Sequence, residues 1–128
     1  MKNIFLFLAG ILNLFTALIH TFAGQSSLIS PLLSSTIEKQ VQTELLAVWH
    51  MVTLFLFFTS AAFLLNFFRP KLECKAVIQF VSYLYLLFPI SFIVVSLLYQ
   101  SFASQWILLL PIGVLGLLGV KKYHSIPN

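Results

Sequence analysis

Four long apolar runs divide the chain, at about residues 4–22, 45–68, 76–99 and 105–120, and the polar residues gather between them. About 20 helical residues cross about 30 Å of hydrocarbon, so each run predicts a membrane-spanning helix. The fourth is short unless it tilts or takes in Tyr123. None alternates between apolar and polar, and an open sheet leaves its backbone unsatisfied in lipid, so strands are excluded as the spanning form. The first run, after MKN, has the look of a signal peptide. It continues to Phe22, however, and a cleavage after Gly24 would put Phe22 where a small residue is needed, so it reads as a span.

Charge gives the runs a direction. Lys2 precedes the first run, Arg69, Lys71 and Lys75 lie between the second and third, and Lys121 and Lys122 follow the fourth. The first connection has only Lys39, beside Glu38 and Glu44, and the third has no charge. Basic residues favour the cytoplasmic side, which places both termini there. Trp49, Tyr99 and Trp106 fall at the predicted outer ends and Tyr123 at the inner one, where amphipathic rings favour the headgroup layer. The expected architecture is therefore an all-α integral membrane protein, a four-transmembrane-helix antiparallel bundle of one domain with N-in/C-in topology. Short links at 69–75 and 101–105 pair spans 2 and 3 and spans 3 and 4 as hairpins.

Only the first connection is long. Ser35-Thr36-Ile37-Glu38 fits the capping box that starts a helix. Leu33, Ile37, Val41 and Leu45 recur every four residues, the stripe of an amphipathic helix. Span 2 is then expected to start outside the bilayer near Thr36, or to follow a bent interfacial helix. Ahead of it, SLISPLL with Pro31 reads as a re-entrant turn or a loop lying on the membrane surface.

Composition agrees with the pattern. Of 128 residues, 60% are hydrophobic and 8% charged, too few charges to cover a soluble domain of this length. The net charge of +4 sits in clusters beside the apolar runs, so it marks orientation and gives no sign of a nucleic-acid partner. The single cysteine, Cys74, excludes an intrachain disulfide and reads as a spare thiol. The partner that composition implies is the lipid bilayer.

Candidate chemistry rests on two histidines. Asn13, Thr16 and His20 fall close to one line on helix 1, with Gly10 and Gly24 near the same side. Thr43, His50 and Thr53 share a face of helix 2 with Phe57 and Ala61, next to Trp49, while Glu44 lies about 120° round from His50. Both imidazoles fall within about 10 Å of the outer surface at 1.5 Å per residue. Three readings follow: hydrogen bonding at the interface, a paired-histidine site for a metal ion or b-type haem in which Glu44 could join, and proton handling. Gly113, Gly116 and Gly119 predict close packing, Pro89 and Pro111 predict kinks, and Gln79, Ser82 and Tyr83 make the inner end of helix 3 mildly polar. His124 reads as a solvated tail residue, and no nucleotide-binding or hydrolase motif occurs.

The order LIHTFAGQ, then SPLL, then ELLAVWHMVTL resembles small bacterial four-span inner-membrane proteins of unknown function, in which a histidine ends span 1 and a Trp-His pair opens span 2. The resemblance covers residues 18–54 and rests on His20, Gly24, Pro31, Trp49 and His50. It implies a multi-pass protein of the bacterial inner membrane and assigns no activity. The functional expectations are a small membrane protein with a paired-histidine ligand site, or an accessory or assembly subunit of a larger membrane complex, or a homo-oligomer of the same role. A small transporter is the third, disfavoured because no Asp, Glu, Lys or Arg lies deep in a span. An enzyme is not indicated.

Overall fold

The computed structural model describes residues 3–70 and 74–123, without the side chain of Tyr123; Lys2, Lys71 and His124 of the sequence reading lie outside them. Helix α1 spans Ile4–Gly24, a π-helical turn Gln25–Ile29 and helix α2 Ser30–Ser34. Helices α3, α4 and α5 span Lys39–Phe68, Lys75–Leu98 and Trp106–Tyr123. There is no strand among the described residues. Three helices are long and apolar enough to cross a membrane: α1 with its continuation to Ser34, α3, and α4. The apolar part of α5, from Trp106 to Val120, reaches only about 22 Å at 1.5 Å per residue.

Helix α1 lies between α3 and α5, and α5 packs along α4. The contacts of α3 with α4 are far sparser than these, although the two helices are consecutive in the chain. Side-chain size accounts for the difference. Aromatic rings fill the α3–α4 gap: Phe55 lies 5.7 Å from Tyr85 and 5.6 Å from Phe88, and Phe63 lies 6.4 Å from Tyr85, centroid to centroid. Glycines line the close seams. A Cβ on Gly116 would collide with the Ser82 hydroxyl and one on Gly119 with Leu6, so both helices approach α5 where only glycine fits. The expected packing role of PIGVLGLLG is thus met within one chain. Pro89 and Pro111 sit inside α4 and α5, which continue through them.

The first connection differs from expectation. Rather than a loop, residues 25–34 continue span 1 as helix. The capping box is not made: α3 starts at Lys39, Glu38 is its cap residue without a side-chain bond, and Ser35 instead closes α2 by donating to the Leu32 carbonyl at 2.7 Å. Pro31 explains the outcome, since its fixed φ suits the first turn of a helix and helps α2 to form. The predicted stripe is therefore broken at 35–38, and Leu33, Ile37, Val41 and Leu45 are all exposed. Gln42 holds the turn instead, buried and donating to the Ser35 carbonyl at 3.0 Å.

Candidate functional site

The polar line along α1 is real, and its members do different things. Asn13 is fully buried at the middle of the bundle. Its amide nitrogen donates to the Thr59 hydroxyl at 2.8 Å and the Leu56 carbonyl at 3.2 Å, and its amide oxygen accepts from the Tyr85 hydroxyl at 2.8 Å. The Thr59 and Tyr85 hydroxyls are 2.7 Å apart, which closes a ring across α1, α3 and α4. Thr59 also reaches its own Phe55 carbonyl at 2.7 Å. Each donor in this ring has an acceptor, as a polar group shut away from water requires. One turn towards the start of α1, Ser60 donates to the Gly10 carbonyl at 2.9 Å. Thr16, one turn towards its end, returns its proton to Leu12 within α1 at 2.8 Å.

His20 stands at the C-terminal end of this line, half-buried. Its ring stacks on Trp49 of α3, centroids 3.7 Å apart and planes 16° from parallel. Its Nε2 lies 3.4 Å from the Trp49 carbonyl, a long contact. A carbonyl can only accept, so in that contact Nε2 carries the proton and Nδ1 is left with the lone pair. Thr53 donates to the same carbonyl at 3.0 Å. A Cβ on Gly24 would collide with the Trp49 ring, so glycine one turn above His20 leaves room for the indole. Together Trp49, His20 and Gly24 join the last turns of α1 to the N-terminal half of α3.

The two histidines do not share this arrangement. Trp49 occupies the face towards α1, and His50, about 100° further round, is exposed. Among the described residues no hydrogen bond or ring contact joins His20 to His50. Glu44 is exposed as well, held by Gln40 Nε2 at 2.7 Å on its own helix. Among the described residues no contact assembles the expected paired-histidine site for a metal ion or b-type haem: the His20 ring is stacked on an indole and His50 is exposed. No group of three or more His, Cys, Asp or Glu able to hold a metal occurs among the described residues.

Sequence reasoning singled out Asn13, Thr16, His20, Trp49 and Thr53, and passed over Thr59, Ser60 and Tyr85. Tyr83, chosen there with Ser82, is exposed, whereas Tyr85 is fully buried. The missed signal was position: Thr59, Ser60 and Tyr85 lie in mid-span, where an uncompensated hydroxyl is costly and a partner is therefore to be expected.

At the opposite end of α1, the Asn3 amide donates to the Gly119 carbonyl at 2.7 Å, and the Lys122 ammonium lies 5.8 Å from the Phe5 ring centroid. The start of α1 and the end of α5 therefore meet at one face of the bundle. The chain matches no family model, and neither a curated protein nor a solved structure is significantly similar to it.

Proposed function

We propose that the chain is a four-span protein of the bacterial inner membrane, with both termini cytoplasmic and α5 as the fourth span. In this reading it serves as an accessory or assembly subunit, a tied bundle that packs against a larger membrane complex. The carrying observation is the use of its mid-membrane polar side chains. Asn13, Thr59 and Tyr85 bond one another across three helices, and Ser60 bonds α1, so the interior polarity holds the bundle together. The outward faces of α3 and α4 carry large apolar side chains such as Leu54, Phe58, Leu87 and Ile90.

The test is extraction of the chain from its native membrane in a mild detergent, followed by native mass measurement. An assembly containing other chains is expected, and it should be lost on substituting Leu54→Gln and Phe58→Gln together. A particle holding only this chain would overturn the reading.

A second reading keeps His20 as a single imidazole ligand at the outer face. One observation favours it: a ligating histidine commonly donates its other ring N–H to a carbonyl, as Nε2 of His20 does to Trp49. In that case the purified chain should bind zinc or haem, and His20→Ala should abolish binding while His50→Ala leaves it. Equal loss in both variants would instead restore the paired-histidine site.

A further inference from the structure

We infer that the outer surface of the bilayer is drawn inward over the start of α5, so that phospholipid headgroups and their water reach about 10 Å below their level at the outer end of α1. This rests on α5 crossing the membrane, as proposed above. Cross-helix contacts fix the relative heights of the helices. Asn3 of α1 bonds Gly119 of α5 and thereby marks a common inner layer. From that layer, Gly24 is 21 residues outward along α1, about 31 Å, while Trp106 is 13 residues outward along α5, about 20 Å.

A second pair gives a similar deficit. Ser82 of α4 meets Gly116 of α5. Leu98 stands 16 residues beyond Ser82, about 24 Å, and Trp106 only 10 residues beyond Gly116, about 15 Å. Helix α5 thus starts about 9–12 Å lower than its neighbours end, on a helix rise of 1.5 Å per residue.

The chain between α4 and α5 has to descend through this interval, and it does so without regular structure. Gln100, Ser101, Ser104 and Gln105 are exposed, as are Tyr99 and Phe102. Lipid-exposed irregular backbone does not occur within hydrocarbon; it needs water, headgroups or surrounding protein. Trp106 points the same way. Trp49 and Tyr99 lie at the height expected of an outer aromatic belt, and Trp106 reaches that environment only where the bilayer is thin.

Raising α5 by tilting the whole bundle does not remove the deficit. It would draw Lys121 and Lys122, in the last turn of α5, towards the hydrocarbon at the inner face. Two ammonium groups resist that far more than a neutral Ser/Gln loop resists the opposite shift. The shortfall therefore falls on the outer side.

The test uses the full chain with Cys74→Ser, reconstituted in phosphatidylethanolamine–phosphatidylglycerol vesicles, with single cysteines labelled by a charged maleimide, present on both faces to compare rates and on one face at a time to assign sidedness. Gln105→Cys and Ser104→Cys should react about as fast as Ser26→Cys in the outer π turn. Val94→Cys, at the height of Gln105 on an exposed face of α4, should react about a hundredfold more slowly, because its thiolate would have to form in hydrocarbon. Rates at both Gln105→Cys and Ser104→Cys as slow as at Val94→Cys would overturn the inference, as would labelling of those two from the face opposite Ser26→Cys. A Lys122→Cys arm separates the two readings. Labelling of Lys122→Cys from the face that labels Ser26→Cys would overturn the fourth span and the thinning with it. Labelling from the other face, with slow Gln105→Cys and Ser104→Cys, would overturn the thinning alone.

Discussion

Asn13 and His20 stand two turns apart on one face of α1, and their contrast shows what depth does to a polar side chain. At mid-membrane the Asn13 amide has no water to fall back on, so both its nitrogen and its oxygen are bonded. Tyr85→Phe removes the proton that Asn13 Oδ1 accepts and should cost about 1 kcal/mol of bundle stability, within the range for interhelical bonds in membranes. A cycle with Asn13→Ala, measured by reversible unfolding in micelles, should give a coupling energy clearly above zero; additive single losses would mean that the ring contributes nothing as a unit. At the other position the stack of His20 on Trp49 is the interaction to test. In a Trp106→Phe protein, where Trp49 is the only indole, His20→Ala uncovers one ring face. The emission should move to longer wavelength and stability should fall by about 0.5–1.5 kcal/mol. His50→Ala, on an exposed position, should leave the emission unchanged and stability within about 0.5 kcal/mol. Equal effects of the two substitutions would contradict the stack as the link between α1 and α3. That His20 and His50 lie at similar depth was legible from residue counting. Which face of α3 meets α1 was not, because Trp49 and His50 are consecutive and either could have pointed inward.

Among the helices, the ends carry the surprises and the middles do not. The middles follow from apolar length alone, and three of the four expected spans reappear as helices long enough to cross. The ends depend on local competition. Ser35 had two uses, capping α3 or closing α2, and Pro31 tips the balance by favouring a first turn at Ser30. The far end of α4 shows a similar compromise. Tyr99 N–H bonds the Val95 carbonyl, Ser101 N–H bonds the Ser96 carbonyl, and Gln100 between them has φ 48°, the left-handed conformation of a helix-ending motif that favours glycine. Gln100→Gly should therefore raise stability by about 1 kcal/mol, the usual cost of that conformation to a side chain. No change in the unfolding midpoint would contradict it. In the opposite direction, Gly119→Leu drives a side chain into Leu6 and should cost about 1–3 kcal/mol, read by the same unfolding measurement. The glycine spacing announced close packing, but it did not say that α5 would use it on both α1 and α4.

For the whole molecule, the bundle combines a tied interior with an apolar exterior, and its orientation can be checked directly. The bias of Arg69, Lys75, Lys121 and Lys122 predicts that a cytoplasm-dependent reporter fused after Asn128 is active, and that the same reporter inserted at Ser27 is not. The reverse pattern would invert the topology. The contact of Asn3 with Gly119 puts the start of α1 and the end of α5 at one face. By itself the sequence determined the helical class and the three long spans, because these depend on run length, while the charge next to each run carries the expectation of sidedness. The tertiary structure decided which helices touch, that His20 meets Trp49 while His50 stays outside, that Asn13, Thr59 and Tyr85 form one ring, and how far outward α5 reaches. Those outcomes depend on how helices rotate and slide against one another. That is set by the fit of glycines to large side chains and by the need of buried polar groups for partners, which couples residues far apart in the chain.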